Sequence, residues 1–581
     1  MPRLLYRPET YTSVPADYDR VVSDPTLTVE ARIPDALQAA VADKLMLAKE
    51  QDVAGRIARA DATLWGPPST PEIANRLGWL TIAERMLANL EELEAFVDEV
   101  VADDFRDVVL LGMGGSSLAP EVLWSCFGPL PERPALHVLD STDAATIRSV
   151  EQAIDLTRAG GTLFIVSSKS GGTIEPLSLF AHFFALAENG KNFVAITDPG
   201  SGLEKLAEEH GFRKVFAGDP NIGGRYSALS AFGIVPGALM GVDVRALLSG
   251  ASSAWQTAIS SAVDAGDPAT PSEQTAAVWL GATLSALAQV GRDKLTFVVA
   301  ESLPSIGLWL EQLVAESTGK HGTGILPVAD EPLGDPDVYG DDRVFAYLPD
   351  VHAPNAELDR KVRALSEAGH PVIVVPTEGP TDLGRLFLLA ELAVAVAGWG
   401  LQINPFDQPN VQQAKDATNR VLSGYEKTHE LPVIVDADDA ALRALLGDAS
   451  PPDYVAIMGY VQPSDEFDAA ASELRETIRR ATKATTTFGY GPRFLHSTGQ
   501  FHKGGPKTGR FLQLLHDGAE DVEIPGRVGG ADSFTTLKNA QAIGDLETLR
   551  TLELPAERVR LQGDNPASAL RALIAKIKET L

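Results

Sequence analysis

From about residue 107 onward the chain alternates short, wholly apolar runs with helix-length segments. "DVVLLG", "ALHVLD", "TLFIVSS", "NFVAITD" and "KVFAG" form a first set. Strands that are apolar at every position must be buried on both faces, which predicts a parallel sheet with helices packed on either side. A second set, "KLTFVVAE", "VFAYLPD" and "PVIVVPT", repeats the pattern, and a third begins at "LPVIVDADD" and continues through "DYVAIMGYV", "TTTFGYG" and "RFLQLLHD". Ahead of these lies a polar, helix-leaning leader broken by the Pro-rich "WGPPSTPE". It is followed by "TIAERMLANLEELEAFVDEVVADDF", whose apolar residues recur at helical spacing. At 581 residues the chain exceeds one ordinary core. The predicted fold class is α/β. A helical leader spans residues 1–80, three-layer α/β/α sandwiches with parallel sheets span 81–260 and 261–428, and an α/β extension spans 429–581.

Ligands of such sheets bind beyond the carboxyl ends of the strands, so the loops there carry the candidate chemistry. "LLGMGGSSLAPEVL" follows the first strand with Gly112, Gly114 and Gly115 for close approach and Ser116 and Ser117 as hydroxyl donors at a helix start. It approaches the dinucleotide fingerprint, and Asp140 ends the next strand, but the third glycine is replaced by Ser117. The alternative is a tight turn with a serine cap. "SSKSGGTIEPLSLF" repeats the device on a later strand. Ser168, Lys169, Ser170, Gly171, Gly172 and Thr173 lead into a helix whose first N–H groups and partial positive charge suit a phosphate. Hydroxyls bind a dianion without burying several lysines. Two such loops on one sheet favour a phosphorylated ligand over a nicotinamide dehydrogenase.

Arg225 lies in "GGRYSALS", where a permanent cation serves an oxyanion or caps a helix from the surface. Glu316 in "LWLEQLVAESTGKHG" shares a helix face with Leu313 and Trp309, placing a carboxylate where burial raises its pKa or where a neighbour pairs it. In "NPFDQPNVQQAKDATNRVL", Pro409 opens a helix, Gln408 precedes it, and Gln412 and Lys415 follow. "RFLHSTGQFHKGG" gathers His496, Gln500, His502 and Lys503. No carboxylate or thiol stands at ligand spacing from the two histidines, so no metal is expected, and proton transfer fits His496 better.

A net charge of −30 argues against a nucleic-acid partner, which needs concentrated Lys and Arg. The single cysteine, Cys126, allows no disulfide framework and no thiolate cluster. The N-terminal "MPRLLYRPETYTSV" lacks the apolar stretch of a secretory signal. The most apolar helix, "RLFLLAELAVAVAGWGL", is short for a span and carries Glu391. A cytoplasmic protein without a membrane partner is expected.

Five of these segments, "GMGGSSLAPE", "SSKSGGTIEP", "GGRYSALS", "LEQLVAESTGK" and "NPFDQPNVQQAK", occur in the order found in phosphoglucose isomerases, and together the chain resembles that family. "GWL" and "RFLHSTGQ" are similar to the isomerase half of bacterial transaldolase–isomerase fusions, extending the likeness over residues 70–510. The resemblance implies two sugar-isomerase (SIS) sandwiches, a cofactor-free interconversion of glucose 6-phosphate and fructose 6-phosphate through a cis-enediol, and a homodimer whose partner lends a residue. It implies Ser168, Lys169, Ser170 and Thr173 at the phosphate, with Gly115 and Ser116 in the neighbouring substrate loop. It further implies Arg225 beside the enediolate, Glu316 as the proton carrier, and Gln408 and Lys415 as late contacts. The family's histidine lies between the glutamate and the lysine. Here no such motif occupies that interval, so either His496 returns to the site from beyond Lys415 or its likeness is accidental, with the return favoured and His321 as the reserve candidate. Gly171 and Gly172 replace bulkier residues, which implies a looser phosphate loop. Alternatives are a non-catalytic SIS-type regulator that binds a sugar phosphate, and a related aldose–ketose isomerase.

Overall fold

The computed structural model describes residues 20–24, 27–156, 161–263 and 275–581 of the 581. Strands β1 (Arg20–Asp24) and β2 (Leu27–Arg32) pair antiparallel. Next, β3 (Asp107–Gly112), β4 (Ala135–Leu139), β5 (Thr162–Ser167), β6 (Phe193–Thr197) and β7 (Lys214–Ala217) form a five-stranded parallel sheet in the order β4-β3-β5-β6-β7. Strands β8 (Lys294–Val299), β9 (Leu326–Val328), β10 (Arg343–Leu348) and β11 (Val372–Val374) pair in parallel. The β1–β2 pair extends their sheet antiparallel, giving the order β1-β2-β11-β10-β8-β9. Finally β12 (Tyr454–Tyr460), β13 (Thr485–Tyr490), β14 (Gly509–Leu515) and β15 (Ala556–Arg560) make a third, all-parallel sheet ordered β13-β12-β14-β15.

Successive strand residues point to opposite faces, and in each sheet both faces are buried. In β3 and β5, Val108, Leu110, Leu163 and Ile165 enter one core while Val109, Leu111, Phe164 and Val166 enter another. In the second sheet, Leu295, Phe297, Val344 and Ala346 face the first of these cores, and Val298, Phe345, Tyr347 and Val372 face a separate one. The third sheet divides Val455, Ile457, Leu512 and Leu514 from Tyr454, Ala456, Met458 and Phe511. Helices supply the covering layers, which is why the strands read as continuous apolar runs rather than alternating ones.

Two expectations change. The leader is not helical throughout: it contributes β1 and β2, and β2 hydrogen-bonds to the edge of β11. "LPVIVDADD" is not a strand. Among the described backbone bonds, the Ala437 N–H donates to Arg558 O at 2.7 Å, one link where a ladder needs a row. Leu431 and Ile434 turn inward three residues apart, a spacing no strand produces, and leave Val433 and Val435 91% and 81% exposed. The apolar stretch Gly379–Gly400 is long enough to cross a membrane, yet 83% of its apolar 18-residue window lies inside the protein, in a core helix.

Candidate functional site

The loops after β3, β5 and β7, the C-terminal end of the helix Ile306–Thr318 and the start of the helix Val411–Thr428 converge on a cavity of about 390 Å³. Gly115, Ser116, Ser168, Lys169, Ser170, Thr173, Arg225, Glu316, Gln408, Lys415 and His496 all line it. The elements that deliver them begin where buried strands end, so the polar loops emerge from a rigid base.

In the loop after β5, the Ser168 hydroxyl donates to Thr173 Oγ1 at 3.1 Å. Thr173 occupies the N-cap position of the helix Ile174–Ala187 but makes no capping bond, so that helix's first amides are left to other acceptors. Lys169 is ion-paired with Asp198. Gly171 has φ +68°, and a Cβ there would stand 2.8 Å from the Ser201 Cβ, so a side chain is excluded by both strain and contact. Gly172 faces open space.

Arg225, 2% exposed, is fixed by five hydrogen bonds. Its Nε donates to Ser317 Oγ at 2.8 Å, Nη1 to Gln408 Oε1 at 2.9 Å and Glu316 Oε2 at 3.2 Å, and Nη2 to the Pro405 and Asp407 carbonyls at 2.6 and 2.9 Å. Burial raises the Glu316 pKa above the usual carboxylate value, with Arg225 and His496 pulling in the opposite direction. A carboxylate of raised basicity beside a fixed guanidinium can take a proton from carbon while the cation faces the charge that develops on oxygen.

His496 reaches the cavity from the loop after β13. Arg493, three residues earlier, pairs with Glu121 at 2.6 Å and Asp140 at 2.7 Å, both carried by the first sheet's unit. Gln312 Nε2 donates to the His496 carbonyl at 2.9 Å. These ties bring the third sheet's loop back over the Glu316 helix. His496 Nε2 lies 3.0 Å from Glu175 Oε1. Burial opposes charge on Glu175, but His496 and Lys415 hold its carboxyl below the usual range. His321 is exposed and does not line the cavity. His502 is fully buried with neither ring nitrogen partnered, and Gln500 ties Gly319 O to Asn410 at 2.9 and 2.8 Å.

A sequence model of the family described as "Phosphoglucose isomerase" matches residues 82–329. A glucose-6-phosphate isomerase of Rubrobacter xylanophilus is 31% identical over 390 residues, covering 58% of this chain and 87% of that one. The chain belongs to the phosphoglucose isomerase family. A second member, the glucose-6-phosphate isomerase of a Nostoc species, is 29% identical over 59% of this chain and 72% of its own. Among solved structures, a hypothetical protein of Thermus thermophilus superposes with TM-score 0.55 and 26% identity over 68% of this chain and all of its own. A glucose-6-phosphate isomerase of Chlamydia trachomatis has the same fold, with TM-score 0.54 and 20% identity over 71% of this chain and 90% of its own.

Sequence reading alone passed over several residues at or beside this cavity. Glu175 lies inside "SSKSGGTIEP", two residues past Thr173, where a first-turn acid is ordinarily a helix-dipole partner. Lys320, at the end of "AESTGK", is fully buried and donates to Asn404 O, Asp407 O and Asp407 Oδ1. Burial, then the nearby Arg225, lower its pKa to about 8. Glu72 and Arg76, paired at 2.7 Å, line the cavity from the leader.

Proposed function

We propose that the chain interconverts glucose 6-phosphate and fructose 6-phosphate by proton transfer through a cis-enediol. One observation carries this reading: a single cavity joins a hydroxyl-rich loop at a helix start to a buried glutamate, a fixed arginine and a histidine–carboxylate pair. The phosphate sits on the Ser168, Ser170 and Thr173 hydroxyls and the free amides of the helix they open, with Gly115 and Ser116 beside the sugar. Lys169 takes part as a cation oriented by Asp198.

His496 and Lys415 open the ring by exchanging protons with the anomeric hydroxyl and the ring oxygen. Glu316 then carries a proton between C2 and C1 of the open chain. Arg225 and Gln408 face the oxygens on which negative charge develops. The phosphate is remote from the reacting carbons, so its binding energy serves to orient them. A carboxylate and fixed donors suffice for this chemistry without a cofactor. A phosphorylated sugar does not cross a bilayer unaided, so we place the reaction in the cytoplasm.

The test is a coupled assay for fructose 6-phosphate formation from glucose 6-phosphate with the purified chain. Turnover is expected without added metal or nucleotide. A chain that binds glucose 6-phosphate without converting it would be a sugar-phosphate sensor instead.

A further inference from the structure

Two buried cations grip one short strap of backbone. The strap, residues 404–408, leads from the core helix Leu383–Gly400 to the helix that carries Lys415. Lys320, which has no exposed surface, donates to Asn404 O at 2.8 Å, Asp407 O at 2.5 Å and Asp407 Oδ1 at 2.8 Å. Those three bonds use every donor an ammonium has. Arg225 Nη2 takes the Pro405 carbonyl between them and shares Asp407 O, so both lone pairs of that carbonyl are filled. Arg225 can only donate, so Gln408 meets its Nη1 through Oε1 and turns its NH₂ toward the cavity. Gln408 Nε2 donates to no protein acceptor among the described residues. The turn carrying Lys320 is set from the third sheet's unit. A Cβ on Gly319 would stand 2.5 Å from the Phe501 Cα, and Gln500 ties Gly319 O to Asn410, two residues past Gln408.

We propose that Lys320, kept charged by Asp407, is a positioning residue whose ammonium fixes the strap, so that Gln408 presents its NH₂ to substrate and Arg225 stays beside Glu316. It acts through those side chains and touches no reacting atom. The charged groups that face it are Arg225, Asp407 and Glu316, two carboxylates against two cations once Lys320 itself is counted. Loss of its proton leaves two N–H bonds for three acceptors and no charge opposite Asp407, which slackens the strap. Burial, then Arg225, bring its pKa down to about 8 against the pull of Asp407 and Glu316. That loss therefore falls within the range of an ordinary assay. The kinetic half of this inference rests on the isomerase reading.

The test is the pH profile of kcat and KM for glucose 6-phosphate with the full-length chain, Lys320→Met and Asp407→Asn. In the parent, kcat should fall as the pH rises through about 8 while KM changes little. Lys320→Met should lose that limb and lower kcat by about 10- to 100-fold, with KM within about threefold, because the phosphate loop is untouched. Lys320 also helps to hold Glu316 ionised, so the acid limb of Lys320→Met should move to higher pH. Asp407→Asn, which keeps the shape of the side chain, should move the alkaline limb to lower pH. A purely structural lysine would shift neither limb. The titration of Lys320 itself is read by NMR of the chain labelled with [ε-13C]lysine, assigned by the signal lost in Lys320→Met. Folded Lys320→Met with parental kcat, or a Lys320 midpoint near that of an exposed lysine, would overturn the proposal. Should Lys320→Met not fold, an alkaline limb unmoved in Asp407→Asn would overturn it. A parent inactive toward glucose 6-phosphate would remove the isomerase reading instead, and the lysine titration would still show whether Asp407 keeps Lys320 charged.

Discussion

Among the described residues lining the cavity, four cationic or protonatable side chains are matched to a carboxylate: Arg76 to Glu72, Lys169 to Asp198, Arg225 to Glu316 and His496 to Glu175. The phosphate site as proposed therefore rests on hydroxyls and amides more than on charge. Hydrogen bonds to a charged group are worth about 1.5–3 kcal/mol each. Removing two hydroxyls in Ser170→Ala/Thr173→Ala should raise KM by about 100-fold and leave kcat within a few-fold. Steady-state kinetics decide it: a fall in kcat alone would mean that the loop does not anchor the ground state. The hydroxyl loop was readable from its letters because a strand followed by small donors and a helix has few uses. The engagement of Lys169 by Asp198 was not, since the partner lies 29 positions away on another strand's loop. The two glycines also separate only in three dimensions. Gly171 is required by its positive φ and by Ser201, whereas Gly172 could accept a side chain.

The helix Ile306–Thr318 shows how one element divides its carboxylates. Glu316, near its C-terminal end, faces the cavity, and Glu311 is buried with Ser497 Oγ at 3.5 Å. Burial, reinforced by Asp330 and opposed by Arg475, pushes the Glu311 pKa up to about 8. Unfolded, it titrates near 4.5, so between about pH 4.5 and 8 the folded chain holds one proton more than the unfolded chain at this site. Its contribution to stability is complete at the acid end of that window and is lost as the pH rises. Glu311→Gln, a permanently neutral mimic, should flatten that part of the fall in Tm between pH 5 and 8. An unchanged slope would show that Glu311 is ionised in the folded state. Apolar periodicity predicted this helix and most strands, because burial on two faces leaves a continuous pattern. It misassigned "LPVIVDADD", where Leu431 and Ile434 turn inward three residues apart and leave Val433 and Val435 exposed, and gave no sign of β2 pairing with β11. Edge pairing depends on which strand end is open, which no local pattern encodes.

At the scale of the molecule, the site is assembled from three sheets, of which the first and second share one core. The third sheet's unit supplies His496, anchored by Arg493 to the first unit and by Gln312 and Gln500 to the Glu316 helix and its end. Its helix Phe534–Thr551 also crosses the helix carrying Lys415 at Gly544, where a Cβ would stand 2.8 Å from Thr418 N and 3.0 Å from Ala417 C. Gly544→Val should push the two helices apart, cost about 1–3 kcal/mol and lower kcat. Thermal denaturation and kinetics check it, and a parental Tm with parental kcat would mean that the crossing is slack.

The central claim is that Glu316 moves a proton between C2 and C1, and carboxylic protons exchange with water. The most direct measurement is turnover of glucose 6-phosphate in D₂O, following deuterium at C1 and C2 of the hexose phosphates by NMR, for the parent and for Glu316→Gln. The account predicts deuterium entering the sugar with the parent, and neither label nor turnover above about a thousandth of the parental rate with Glu316→Gln. Parental turnover that leaves the sugar unlabelled, or labelling that survives the loss of the Glu316 carboxylate, would contradict it.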